Sequence, residues 1–385
     1  FEDNFKILIP FALILIPLFL GIFYGLVTLI CSFFTLNKKF STILIFSIFF
    51  SLIEYIRSFI FGGFPWNLIV FTWTDYLYFL QILSFIGTYS LNLLSITIFT
   101  IPIIILFNYK KLTQLFFLTF TLIIIVINFI YGSLSLKNNK NINKLETNFL
   151  IKIISPKIDI NRYFNNENPE KIILELVQLS KPKEFEKTIF IFPEGVFSNI
   201  YLEDLNNYSY IFSENYSDQH KMILGINSKQ EGKVFNSMVL LDKNLNILHK
   251  YNKNKLVPFG EFLPFENFLR KFGLKKITQG YNSFSSDNER NLVSLNNISF
   301  LPLICYEIIY SGKIKKTNDE FDILLNISED GWFGNSVGPY QHFSHSIFRS
   351  IEEGKNLIRS ANNGISAFIN SKGQIISKVE STERG

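Results

Sequence analysis

Three stretches of this 385-residue chain carry no charged side chain at all: between Lys6 and Lys38, between Asp75 and Lys110, and between Lys111 and Lys137. Each is longer than the roughly 20 apolar residues that cross a bilayer as a helix. A fourth apolar stretch, Ser41 to Phe64, is interrupted only by Glu54 and Arg57. The pattern predicts four spans, near 7–34, 41–63, 76–107 and 113–133. A signal peptide is a poor reading, because the first run is too long and others come after it. A buried soluble bundle would need four such runs to be enclosed by other chain.

Charge then divides the chain. Only ten of its 69 charged residues fall in 1–136, and the other 59 fall in 137–385. A single soluble globule, a disordered chain and a disulfide scaffold are all excluded. The net charge of +5 is spread over both parts, so no basic tract points to nucleic acid. The expected organisation is transmembrane helices over 1–136, a polar linker over 137–146 and a catalytic domain over 147–385. Lys38-Lys39 and Lys110-Lys111 lie in short loops, and the positive-inside rule puts both pairs in the cytoplasm. The charged domain then lies outside, which in a bacterium means the periplasm. Trp66 and Trp73 suit the membrane interface. Glu54 and Arg57 share a helix face and read as an ion pair locking the bundle, ahead of a direct substrate role. The start at Phe1 and the abrupt end at Gly385 read as a fragment lacking sequence at both ends.

From Thr147 short apolar runs alternate with amphipathic stretches, which predicts a layered α/β-type domain. Strands are expected at 149–154, 188–192, 222–226, 237–241, 299–304 and 322–327. Helices are expected at 169–179 and 341–359, and a hairpin at 367–376. Three motifs at strand ends hold side chains capable of chemistry: Glu194 in Ile191-Phe-Pro-Glu194, Lys253 or Lys255 in Tyr251-Asn-Lys-Asn-Lys255, and Cys305 in Leu303-Ile-Cys-Tyr-Glu307. Each alone is better explained as a helix-start acid, a solvated lysine or a small core residue. Together they compose an acyl-transfer set. A desolvated carboxylate has a raised pKa and takes the thiol proton, and an ammonium steadies thiolate and oxyanion. Cys31 lies in an apolar run and cannot plausibly bridge Cys305, so Cys305 is read as a free thiol. His342 and His345 sit three apart on a helix with no third ligand, which favours a helix surface or core role over a metal site.

The same residues carry a resemblance. The Glu–Lys–Cys set is similar to that of the nitrilase, or carbon-nitrogen hydrolase, superfamily. With membrane spans in front of it, the chain resembles the bacterial apolipoprotein N-acyltransferases along nearly its whole length. The stretches that carry this are Glu54-Tyr-Ile-Arg-Ser-Phe-Ile-Phe-Gly-Gly-Phe-Pro-Trp66, Lys253-Asn-Lys-Leu-Val-Pro-Phe-Gly-Glu261, Cys305-Tyr-Glu307, Trp332-Phe-Gly334, Gly338-Pro-Tyr-Gln-His342 and Arg359-Ser-Ala-Asn-Asn-Gly364. The resemblance implies an N-terminal transmembrane helix bundle followed by an α+β nitrilase-like four-layer αββα sandwich. It makes Glu194 the general base, Lys253 rather than Lys255 the oxyanion-stabilising lysine, and Cys305 the nucleophile. Glu261 is expected to orient Lys253, Tyr306 and Glu307 to shape the pocket, and Trp332 to stand near its entrance. Asn326 and Asn363 read as backbone-fixing.

The implied reaction moves an acyl chain from a phospholipid, through a Cys305 thioester, to the α-amine of a diacylglyceryl-cysteine on an apolipoprotein. It uses no cofactor or metal, and it takes place at the inner membrane of a bacterium. A membrane-tethered amidohydrolase acting on a soluble amide is the alternative, and a non-enzymatic assembly protein is a third. The chain departs from the family in one local motif. The family's Asn-Asp-Ala before Trp-Phe-Gly is Glu329-Asp330-Gly331 here.

Overall fold

A computed structural model describes residues 9–34, 39–138, 148–163, 167–197, 200–266, 283–295, 297–314 and 320–385. The expected linker at 137–146 lies mostly outside them. The chain divides into two compact units, Phe1–Asn141 with Ile351–Glu353, and Ile142–Ser350 with Gly354–Gly385.

In the first unit, α1 (Ile9–Ser32), α2 (Phe40–Arg57), α4 (Leu83–Thr100) and α5 (Lys111–Lys137) are long, and α3 (Leu77–Leu80) is a single turn. Among the described residues four candidate spans, Leu13–Ser32, Phe40–Arg57, Leu83–Leu106 and Lys111–Lys137, are long and apolar enough to cross a membrane. Two of the expected spans are shorter than the apolar runs suggest. The run at 41–63 stops being helical at Arg57, ahead of Gly62 and Gly63, whose φ values of 91° and 76° no α-helix accommodates. The run at 76–107 is broken before Leu83, and Gly87 (φ 71°) kinks α4 near its start.

The helix faces are inverted relative to a soluble bundle. Ser47, Ser51 and Glu54 on α2 are buried, as are Thr88, Asn92 and Ser95 on α4, each set at i, i+4, i+7 spacing. Large apolar side chains such as Leu18, Phe116, Leu122 and Ile127 face outward, which suits lipid as solvent. Glu54 accepts from Asn92 Nδ2 at 2.5 Å, and Arg57 donates to Asn67 at 2.9 Å. The Glu54–Arg57 pair itself is longer, at 3.8 Å. Trp73 donates its indole N–H to Ser95 at 2.9 Å.

The second unit holds two sheets. One has the order β1 (Leu150–Ile153), β2 (Thr188–Ile191), β3 (His220–Gln230), β4 (Lys233–Leu241), β5 (Ile247–Asn252). The other runs β11 (Ile375–Val379), β10 (Ser366–Ile369), β9 (Asn356–Asn362), β8 (Ile323–Glu329), β7 (Ile298–Ile304), β6 (Val293–Leu295). Each has a parallel trio, β1–β2–β3 or β7–β8–β9, extended by antiparallel strands. The two-residue period of the strands sorts their side chains. Ile189, Ile191, Ile223 and Met238 meet Phe300, Ile304, Leu325 and Ile327 between the sheets. Phe190, Met222, Leu224 and Val239 point the other way, onto α6 (Pro169–Ser180) and α7 (Ser209–Asn215). Beyond the second sheet lies α8 (Gly338–Glu353), whose His342 meets Arg359 of β9. The layers are therefore α, β, β, α, a nitrilase-like sandwich. The expected helix 341–359 overran: α8 ends at Glu353, Gly354 (φ 63°) breaks it, and Asn356–Asn362 is a central strand buried on both faces.

Candidate active site

Three strand ends converge. Two residues beyond β2, Phe192 and Pro193 lead to Glu194, which is 7% exposed. Lys253 comes directly after β5 and is 1% exposed. Its ammonium donates to Glu261 Oε1 at 2.9 Å and to Glu194 Oε1 at 3.3 Å. Asn236 of β4 donates to the same two oxygens, at 2.7 Å to Glu194 and 2.8 Å to Glu261. One cation and one amide thus hold two carboxylates together. The second oxygen of each is also bound: Glu194 Oε2 accepts from Glu329 N at 2.9 Å, and Glu261 Oε2 from Val257 N at 2.8 Å. Burial pulls the Lys253 ammonium down, but the Glu194 and Glu261 carboxylates outweigh it and hold it well above its ordinary value. Lys253 is therefore charged. Lys255 does not share this cluster; its backbone N–H bonds Glu307.

Cys305 comes directly after β7 and opens a 3₁₀ turn, Cys305–Ile309. Its φ of +51° is left-handed, a conformation costing a non-glycine residue about 1–3 kcal/mol and kept only where its surroundings enforce it. Here three groups do so. Asn326 donates to Leu303 O at 3.0 Å, Ile304 N donates to Glu307 Oε2 at 2.8 Å, and His342 Nε2 lies 3.2 Å from Cys305 O. His342 is in turn braced by Asp330 (2.8 Å), and Asp330 by Arg359 (2.7 Å) and Ser328 (2.7 Å). Burial would raise the Asp330 carboxyl, but Arg359 and His342 hold it far below the usual range. Burial followed by the Glu194 charge pushes the Cys305 thiol well above its ordinary value; Lys253 opposes them. The resting thiol keeps its proton.

Glu307 is buried on the far side of the turn. It accepts from Tyr251 OH (2.7 Å), Arg290 (2.8 Å), Asn254 N (2.9 Å) and Lys255 N (3.1 Å). It binds the segment after Lys253 to the Cys305 turn rather than lining open space. Tyr306 is 7% exposed, packs edge-on to Tyr310 and has its phenol pushed up to about 12 by burial. Trp332 is 45% exposed and stacks on Tyr163 with centroids 5.2 Å apart. Asn363 donates to Ile158 O at 2.7 Å.

Four contributors escape sequence reading. A polar residue inside the apolar strand Val-Phe-Asn-Ser-Met-Val is a faint signal for Asn236. Nothing local marks Arg162, Arg290 or Gly225. Gly225 lies where a Cβ would stand 2.5 Å from Glu194 Cα.

Residues 215–385 match the carbon-nitrogen hydrolase family. With the paired sheets, this gives the second unit a carbon-nitrogen hydrolase fold. Residues 2–101 match the apolipoprotein N-acyltransferase N-terminal domain. The apolipoprotein N-acyltransferase of Rickettsia prowazekii is 33% identical over 97% of this chain and 75% of its own length. That of Rhizobium rhizogenes is 29% identical over 100% of this chain and 73% of its own. A CN-hydrolase superfamily structure from Xanthomonas campestris shares 15% identity, with 61% of this chain and 87% of its own covered and a TM-score of 0.41. The chain belongs to the apolipoprotein N-acyltransferase family, and so to the acyltransferases and the membrane proteins.

Proposed function

We propose that the chain N-acylates apolipoproteins, taking the acyl group from a phospholipid and carrying it as a thioester on Cys305. The observation that carries this reading is the buried Lys253, held between Glu194 and Glu261 and acting electrostatically on Cys305. A thiol kept protonated at rest needs its base at the moment of attack, and Glu194 is the base within reach of that cluster. Glu194 takes the thiol proton as sulfur bonds to the ester carbonyl carbon. The oxyanion forms beside the Lys253 ammonium and the N–H of Tyr306. Its collapse breaks the ester C–O bond, and lysophospholipid leaves with the proton from Glu194. The α-amine of a diacylglyceryl-cysteine then attacks the thioester, Glu194 takes its proton, and the thiol is restored. The kinetics are ping-pong.

Both substrates are anchored in lipid, which is the physical reason for joining this domain to spans. On this reading 1–136 cross the bacterial inner membrane and 147–385 work in the periplasm. Glu261 orients Lys253, Tyr306 walls the pocket, and Trp332 stands at its entrance. Incubation of the protein in vesicles of labelled phosphatidylethanolamine is expected to give a hydroxylamine-sensitive acyl adduct that Cys305→Ala abolishes. An adduct that survives Cys305→Ala refutes the nucleophile. Turnover of a soluble amide without any lipid adduct points to an amidohydrolase instead.

A further inference from the structure

We propose that Arg162 and Glu329, a buried ion pair behind Glu194, are positioning residues for that base; the inference rests on the reading of Glu194 given above. Both side chains are sealed from solvent, at 0% and 1% exposure. Isolated buried ions are costly, so a pair survives only with its hydrogen-bonding capacity filled. Here all of it except the Arg162 Nε–H is filled, from several sides. Glu329 Oε2 meets the Arg162 guanidinium and accepts from Asn362 Nδ2 at 2.8 Å, and Oε1 accepts from Gly331 N at 2.8 Å. Arg162 donates further to Gly195 O at 2.9 Å, to Asp159 O at 3.1 Å and to Tyr163 OH at 3.2 Å. Tyr163 OH donates to the same Gly195 carbonyl at 2.8 Å.

The pair grips Glu194 from two directions. Gly195 is its chain neighbour, so Arg162 fixes the backbone that carries the base. Glu329 N donates to Glu194 Oε2 at 2.9 Å, so fixing Glu329 fixes the far carboxylate oxygen. The pair also fixes the local charge. Lys253 and Glu261 face Glu194 from beyond β5, Cys305 from beyond β7, Glu329 from the end of β8, and Arg162 and Tyr163 from the segment before α6. Arg162 cancels Glu329, leaving Glu194 answerable to Lys253.

The test uses the full chain in vesicles with Cys31→Ser, and tracks acylation of Cys305 by p-nitrophenyl butyrate against pH by mass spectrometry. The acid limb of that profile reads loss of the carboxylate base. Glu329→Gln keeps the backbone N–H but leaves the Arg162 charge unmatched, and the limb is expected to move to lower pH. Burial already raises the Glu329 carboxyl, so Arg162→Gln lets it take a proton and lose its charge, and the limb is expected at the wild-type position with a lower rate. Arg162→Lys restores the charge without the planar fork. Its limb is expected at the wild-type position with a rate lower by about 10-fold to 100-fold, as for a base displaced by a fraction of an ångström. Should Arg162→Gln fail to accumulate, Glu329→Gln against Arg162→Lys still decides. A Glu329→Gln limb that stays put, or an Arg162→Lys rate equal to that of the wild type, overturns the proposal. Absence of a phospholipid adduct in the unaltered protein, with a Glu329→Gln limb that still moves, overturns the phospholipid reading and leaves this one standing.

Discussion

Gly225 makes a sharp test of how the base is held, because it has no chemistry of its own. It sits in the middle of β3, and a Cβ there would stand 2.5 Å from Glu194 Cα, 2.9 Å from Ile327 Cδ1 and 3.0 Å from Pro193 O. Gly225 N also donates to Pro193 O at 3.3 Å, so the two backbones are already in contact. Ordinary carbon contacts begin near 3.4 Å. Gly225→Ala therefore has to drive Glu194 away by about 1 Å, or move β3 instead. Overpacking of this kind costs about 1–3 kcal/mol. The reduced entropy of the unfolded alanine chain offsets about 0.4–1 kcal/mol of that. A net loss of about 1–2 kcal/mol lowers the melting temperature of a domain this size by roughly 2–8 °C. A displacement of about 1 Å costs on the order of 100-fold in rate. Activity should thus fall far more than stability. The assay pairs a thermal melt with the initial rate of acyl-adduct formation from labelled phosphatidylethanolamine. A variant that melts several degrees lower yet keeps its rate would show that Glu194 tolerates displacement, and would refute the reasoning.

Three further outcomes are expected. Burial raises the Glu307 carboxyl, but Arg290, the Ile304 N–H and Tyr251 together hold it below its ordinary value. The stability it contributes is therefore present above about pH 4.3 and lost as pH falls through the depressed folded value. Glu307→Gln should cost about 3–5 kcal/mol near pH 7 and flatten that acid dependence; a melting temperature that does not change contradicts the network. The raised Cys305 thiol should react with iodoacetamide at neutral pH at least about 10-fold more slowly than a cysteine peptide, and faster only as pH rises. A rate equal to the peptide's removes that claim. A Cβ on Gly331 would lie 2.6 Å from Glu329 Oε1, so Gly331→Ala should destabilise by about 1–3 kcal/mol. Glu329→Asp, one methylene shorter, should relieve part of that loss, and strictly additive melting shifts would show the two sites to be uncoupled.

Legibility from residues alone depends on physical range. The spans were legible because lipid imposes a rule on whole segments, and three uncharged runs satisfy it without reference to any partner. Their ends were less so: Gly87 and the Gly62-Gly63 pair break helices that the apolar runs continue through. The strands carrying Glu194 and Cys305 were legible as short apolar runs, each ending at a chemically capable side chain. The strand Asn356–Asn362 was missed because Leu-Ile-Arg-Ser-Ala fits a helix locally, and its state is settled by pairing with β8 and β10.

The remainder of the site was illegible for a different reason. Arg162 lies 167 positions before the carboxylate it pairs with, and Asn236 lies 42 positions after Glu194. No periodicity spans such distances. The departure at Glu329-Asp330-Gly331 shows how much the gap hides. Taken along the chain, it is two unrelated changes from Asn-Asp-Ala. In space, the longer Glu329 side chain reaches Arg162 while its other oxygen comes within 2.6 Å of where a Cβ on residue 331 would stand. The acid therefore packs closely on the glycine, and its burial rests on the arginine. Three positions that look independent in sequence form one constraint, centred on the backbone N–H that holds Glu194.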